Sequence, residues 1–191
     1  CRVLYTAWTV KHKPKSLDEI VGNKEAIEKF VDWVKSWEKG VPKKKAVFLY
    51  GPPGIGKTIT VEALANDYRM EFVEKNASDY RTENAVNRFA GLASQYRSLF
   101  GEKRIILLDE LDGLTGTADK GGVKATTEIV KNAQCPIVLI ANSAYDPRFP
   151  NLRNYCFLVE FRKPSAGEVM KHLSRICEDE GIKAEEAALK F

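Results

Sequence analysis

One stretch limits what this 191-residue chain can fold into more than any other: LYGPPGIGKTITVEALA at 49–65. Gly51, Gly56, Lys57 and Thr58 fit G-x-x-x-x-G-K-[ST], a backbone loop that wraps phosphate. The loop needs a strand before it and a helix after it. Its glycines turn several N–H groups toward one anion, and the helix adds the positive end of its dipole. Here the apolar run KAVFLY (45–50) leads in, and a helical pattern over Lys57–Arg69 leads out. The cofactor-binding stretch is therefore Gly51, Pro52, Pro53, Gly54, Ile55, Gly56, Lys57, Thr58 and Ile59. Lys57 is expected at the β- and γ-phosphates and Thr58 on Mg²⁺.

The same alternation continues along the chain. Short runs at 71–75, 104–109, 136–141 and 156–161 read as further strands. Between them lie helical patterns at 23–40, 83–94 and 122–131; in the first, Ile27, Phe30, Val31, Val34 and Trp37 recur about every 3.6 residues and Gly40 marks a stop. Strands without strict alternation, separated by helices, suit a parallel sheet buried on both faces, an α/β sandwich. After FRKPS the pattern becomes helix, turn at Gly181, then the start of another helix. A boundary near Lys163–Pro164 divides a base domain, 1–163, from the beginning of a small helical domain, 164–191, too short to bury a core of its own.

Composition excludes several classes. Apolar residues at 44% and charged residues at 29% are an ordinary globular mixture. The absence of an 18-residue apolar run and of a signal-peptide pattern points to the cytoplasm and away from membranes. Cys1, Cys135, Cys156 and Cys177 are widely spaced, as are His12 and His172, which suggests neither a zinc site nor a disulfide framework. A net charge of +4 says little alone about nucleic acid.

IILLDELD (105–112) supplies the acidic half of the site. Asp109, at a strand end, is expected to hold Mg²⁺ through water, and Glu110 to orient the attacking water. Asp112 reads as a surface or capping residue. A carboxylate aimed at water favours hydrolysis over transfer to a bound acceptor. Asn142, which ends IVLIAN and is grouped with Lys57 and Glu110 as catalytic, has two readings: its amide senses the γ-phosphate or helps position water, or it is a plain turn residue.

These blocks together resemble the AAA+ ATPases, and within them the clamp-loader branch on the side of the archaeal replication factor C large subunits. KHKPKSLDEIVGN, GPPGIGKT, NASDYRTENAV, LLDELDGLTGTADKGGV and NLRNYCFLVEFRKPSAGEV carry the resemblance, over roughly residues 8–191. It implies a five-stranded parallel sheet of order 5-1-4-3-2 between helices, with ATP and Mg²⁺ at its edge. It also implies an adenine pocket at Pro14, Ile20 and Val21. Implied partners are replication factor C small subunits in a hetero-pentamer, a sliding clamp, and primer–template DNA. The implied function is to open the clamp and load it on DNA at the cost of ATP. Another AAA+ DNA motor, such as a helicase loader or branch-migration motor, and an ATP-gated assembly module with little turnover stay open.

The resemblance implies two further surfaces. Arg81, Lys120 and Lys124 sit where helix N-termini would meet DNA phosphates, or are ordinary surface charge. Tyr96, Leu99 and Phe100 have the spacing of a clamp-binding plug, which is equally that of a helix face turned into its own core. The chain also departs from the pattern. His12-Lys13-Pro14 stands for Tyr-Arg-Pro, and an ammonium lacks the planar fork of guanidinium. Val10 replaces an acid, and Cys1–Ala7 has no counterpart. Tyr155 precedes Cys156 where small subunits carry an arginine finger, so neither Arg148 nor Arg153 is assigned that role. The second sensor arginine is expected beyond Phe191.

Overall fold

A computed structural model of the chain describes residues 7–77, 88–91, 93–94, 103–113 and 119–183, with backbone alone at 119–121. Five strands form one parallel sheet: β1 (Ala46–Tyr50), β2 (Glu71–Asn76), β3 (Arg104–Asp109), β4 (Ile137–Ala141) and β5 (Cys156–Glu160). Their order is β2-β3-β4-β1-β5, every neighbouring pair parallel, which is the expected order counted from the other edge. Around it, in chain order, lie α1 (Trp8–Lys11), α2 (Lys24–Ser36), α3 (Lys57–Asp67), α4 (Asp119–Asn132), α5 (Pro150–Arg153) and α6 (Ala166–Asp179).

The central strands are apolar on both sides because both sides are covered. Ala46, Phe48, Ile106, Leu108, Ile137 and Leu139 face one cluster, with Phe89, Val130, Phe149 and Leu152. Val47, Leu49, Ile105, Leu107, Val138 and Ile140 face the other, with Phe30, Trp33, Val61 and Leu64. The two-residue period of a strand makes this partition. Each fully buried Phe or Leu contributes roughly 1.5–3 kcal/mol. Of the apolar residues marked on the 23–40 pattern, Val31 lies at the margin, while Ala26 and Trp33 join the core. Trp33 can be buried because its indole N–H donates to the Lys44 carbonyl at 2.8 Å.

Two details place the loops. The helix over 23–40 is α2 followed by a 3₁₀ turn at Trp37–Lys39, and it ends at Gly40 with φ 127. Ser165 caps α6 with a reciprocal pair: its hydroxyl accepts from the Glu168 N–H at 3.3 Å, and its own N–H donates to the Glu168 carboxylate at 2.7 Å. Of the helical pattern at 83–94, the described part at 88–94 carries Phe89 and Ala93 into the core.

Because all five strands are parallel, the residues that follow β1, β3 and β4 and the last residue of β2 meet along one edge of the sheet. Ligands of open α/β sheets bind at such carboxyl ends.

Candidate functional site

At that edge lies a cleft of about 630 Å³, lined by Pro53, Gly54, Gly56, Lys57, Thr58, Ile59, Asp109, Glu110, Asp112, Gly113, Ile140, Ala141 and Asn142. Its floor is the loop between β1 and α3. Gly51, at φ 143, lies so close to the residue that follows β5 that a Cβ there would fall 2.1 Å from the Phe161 carbonyl oxygen. Gly54 and Gly56 have φ of 73 and 90 with open space where a Cβ would stand. Their role is backbone direction, which other residues reach only with strain. Gly56 caps α3, and its carbonyl accepts from both the N–H and the hydroxyl of Thr60, at 2.9 and 2.8 Å.

Lys57 is buried, and its ammonium donates to the carbonyls of Gly51 and Pro52 at 2.8 and 2.7 Å. Burial pushes its pKa down, against the opposing pull of Asp109 and Asp112. A desolvated cation beside a backbone cradle fits an anionic ligand. Thr58 Oγ1 donates to Asp109 Oδ2 at 2.6 Å, which joins the first turn of α3 to the end of β3. A hydroxyl and a carboxylate side by side are hard oxygen donors of the kind that Mg²⁺ takes.

Next along the chain, Glu110 has the left-handed φ of 56, and its carboxylate accepts from Asn76 Nδ2 at 2.7 Å. Asn76 is the last residue of β2 and pairs in register with Asp109. Its role escaped sequence reading, although a polar residue at the end of a strand beside the acidic one was the available signal. Asn142 is exposed at the end of β4 and lines the cleft. Its backbone N–H donates to Asp112 Oδ2 at 2.6 Å, so Asp112 is bound to a residue thirty positions away. The surface-or-cap reading of Asp112 misses this partner.

The expected adenine-side residues are not among those that line this cleft. Ile20, like Leu17, Ile55 and Tyr68, is partly buried against the core face of Phe30, Val61 and Leu64. Val21 is half-buried. Pro14 lines a separate cleft of about 210 Å³ with Lys11, Lys13, His172 and Arg175. Lys13 makes a one-point ion pair with Glu62 of α3 at 2.6 Å. Of the residues marked for DNA, Lys124 is exposed on α4, while Arg81 and the side chain of Lys120 lie outside the described residues. Tyr96, Leu99 and Phe100 also lie outside them.

Residues 47–165 match the family model described as "ATPase family associated with various cellular activities (AAA)". The chain belongs to the AAA family. Similar sequences include the replication factor C large subunits of Methanosarcina mazei (42% identity over 95% of this chain), Staphylothermus marinus (43% over 96%) and Thermofilum pendens (43% over 98%). This AAA chain spans 30%, 43% and 46% of their respective lengths. In fold it resembles the RuvB Holliday junction branch migration motor of Thermotoga maritima, with a TM-score of 0.69 at 19% identity, covering 93% of this chain and 58% of that one. Among the described residues of this AAA domain, no helix is long and apolar enough to cross a membrane.

Proposed function

We propose that this chain is the ATPase region of a clamp-loader large subunit. On this reading it binds Mg-ATP, hydrolyses it within a ring of replication factor C small subunits, and helps open a sliding clamp and place it on primer–template DNA in the cytoplasm. The observation that carries the proposal is the 42–43% identity with replication factor C large subunits over 95–98% of the chain. The buried Lys57 and the Thr58–Asp109 pair support the nucleotide part.

Each residue has a stated part. Gly51, Pro52, Pro53, Gly54, Ile55, Gly56 and Ile59 shape the loop. Lys57 neutralises phosphate charge, and Thr58 with Asp109 holds Mg²⁺. Glu110 activates water, and Asn142 senses the γ-phosphate. Pro14, Ile20 and Val21 serve the adenine. Residues 1–163 form the base, and 164–191 begin a lid that closes on the nucleotide. Arg81, Lys120 and Lys124 meet DNA phosphates, and Tyr96, Leu99 and Phe100 enter the clamp.

The test is ATP turnover in a ring reconstituted with small subunits, clamp and primed DNA. Glu110→Gln is expected to remove this subunit's share of turnover while ATP binding persists, and Phe100→Ala to lose clamp capture with the fold intact. Failure of the chain to enter such a ring, or of the ring to hold a clamp, defeats the clamp-loader assignment. A second reading, an ATP-gated module with little turnover, draws on the hydrogen bond that holds Glu110 to Asn76. Unchanged ring turnover with Glu110→Gln would favour it.

A further inference from the structure

We infer that Asp112 is a positioning residue that sets the backbone of Asn142 and, through it, the discrimination between nucleoside triphosphate and diphosphate. The inference rests on the reading of Asn142 as the γ-phosphate sensor.

The geometry singles out Asp112 in three ways. First, its turn is anchored. Leu111, next to it, is fully buried, and the Gly113 N–H closes the turn onto the Glu110 carbonyl at 2.8 Å. A carboxylate on such a turn has a defined place.

Second, it stands where the sheet ladder stops. The register between β3 and β4 runs from Ile106↔Ile137 to Leu108↔Leu139, three residues short of Asn142. On the other side of β4, the Asn142 carbonyl accepts from the Gly51 N–H at 3.2 Å. The N–H of Asn142 does not follow its carbonyl to the phosphate loop, as it would in a continued ladder; it donates to the Asp112 carboxylate at 2.6 Å. Asn142 is thus held on one side by the phosphate loop and on the other by the acidic turn. Its side-chain amide makes no hydrogen bond with any described residue and lines the cleft. A fixed backbone with a free amide is the arrangement a sensor of one extra phosphate needs, because the amide then meets its ligand without reorganising.

Third, the same residue reaches outward. Its carbonyl accepts from both terminal nitrogens of Arg148, at 3.4 and 3.5 Å. Arg148 is in turn gripped by Asp146 at 2.7 and 2.8 Å. The Asp112 charge also reaches Lys57, where it favours the ammonium form. An ordinary turn cap would bond within its own turn. Asp112 instead joins the segments after β3 and β4.

The test is calorimetric titration of this chain with Mg-ATP and Mg-ADP, in the wild type and in Asp112→Ala, Asp112→Asn, Asn142→Ala and the double alanine variant. Loss of a charge-assisted hydrogen bond is expected to cut the ATP-over-ADP preference of Asp112→Ala about tenfold, with the ADP dissociation constant within about twofold. Asp112→Asn keeps an acceptor oxygen and is expected to restore most of the preference. The double variant is expected to match Asn142→Ala alone. The inference fails if Asp112→Ala keeps the wild-type preference, if it weakens both nucleotides equally, or if the double variant shows summed losses. Should Asp112→Ala not fold, the amide proton of Asn142 decides by NMR: its resonance moves upfield in Asp112→Asn if the bond exists, and stays in place if it does not. A wild type that binds both nucleotides without preference overturns the inference alone, whereas one that binds neither overturns the ATPase reading with it.

Discussion

At the phosphate end of the cleft the groups are buried or bound by short bonds between sheet and loop: Lys57 to two carbonyls, Thr58 to Asp109, Asn76 to Glu110, Asp112 to Asn142. The segment before α2, which leads toward the expected adenine side, is held by contacts that are mostly exposed, the half-buried His12–Glu180 pair excepted. Lys11 and His12 meet Glu180 at 2.7 and 2.5 Å, Lys13 meets Glu62, and the Leu17 N–H donates to Asp67. Farther along, the Asn23 amide exchanges two hydrogen bonds with the backbone of Arg162, at 2.7 and 2.9 Å. The difference lies in solvent around Lys57 and the Thr58–Asp109 pair, which are buried or half-buried, whereas the Asn76–Glu110 and Asp112–Asn142 bonds are exposed like most of those before α2. Pairs in water gain little and are screened by salt, whereas desolvated groups lose much if one partner is removed. The phosphate end is therefore preorganised, and the segment at 11–23 bridges α3 and α6 with contacts that can be exchanged at small cost.

Substitutions at the two ends should separate accordingly. Gly51→Ala is expected to have the largest effect, since its Cβ would collide with backbone that also carries the Phe161-to-Tyr50 hydrogen bond. A loss of about 3 kcal/mol, read as a fall of roughly 10 °C in thermal melting, is expected together with loss of nucleotide binding. A melting temperature near that of the wild type would show the phosphate end to be far more yielding than its contacts imply.

Thr58→Val keeps shape and removes the hydroxyl. Affinity for ATP is expected to fall about tenfold in Mg²⁺ and hardly at all in EDTA, as measured by calorimetry. An equal fall in both would assign Thr58 to packing alone.

On the exposed side, Asn23→Ala loses both bonds to Arg162 and places a Cβ residue with no side-chain amide at φ 53. A cost of about 1–2 kcal/mol is expected, seen as a melting shift of a few degrees. Asn23→Gly tolerates the φ and should show the hydrogen-bond share by itself.

The smallest effect is expected from Glu180→Gln. Lys11 first, then His12, holds the Glu180 carboxyl below its ordinary 4.5. A depressed carboxylate stabilises the fold above the unfolded pKa and loses that contribution as pH falls through the folded one. The melting difference from wild type should therefore be about a degree at pH 7 and low salt, shrink in 0.5 M NaCl, and fade below pH 4.5. A difference as large as that of Asn23→Ala would mean that the ion pairs on Glu180 are worth more than surface pairs normally are.

Local chemistry made several features readable from the sequence alone. The strand–loop–helix around Gly51–Thr58 follows from glycine freedom and apolar runs. The five strands were visible as short runs, four of them mainly apolar, and their observed ends differ from the runs by one residue at most. The sheet order came from the family resemblance, because order depends on which surfaces meet and not on any one run. Lys57 and Thr58 could be named because they close the phosphate-loop motif at the start of α3, and Asp109, Glu110 and Asn142 because each stands at or just after a strand end. Asn76 and Asp112 could not be valued that way, since their partners lie thirty or more residues away. Tertiary structure alone decided that the N–H of Asn142 lacks a ladder partner and that a carboxylate from the next turn supplies it. Sequence encodes what one segment prefers, while a hydrogen bond between segments exists only once the core has brought their ends together.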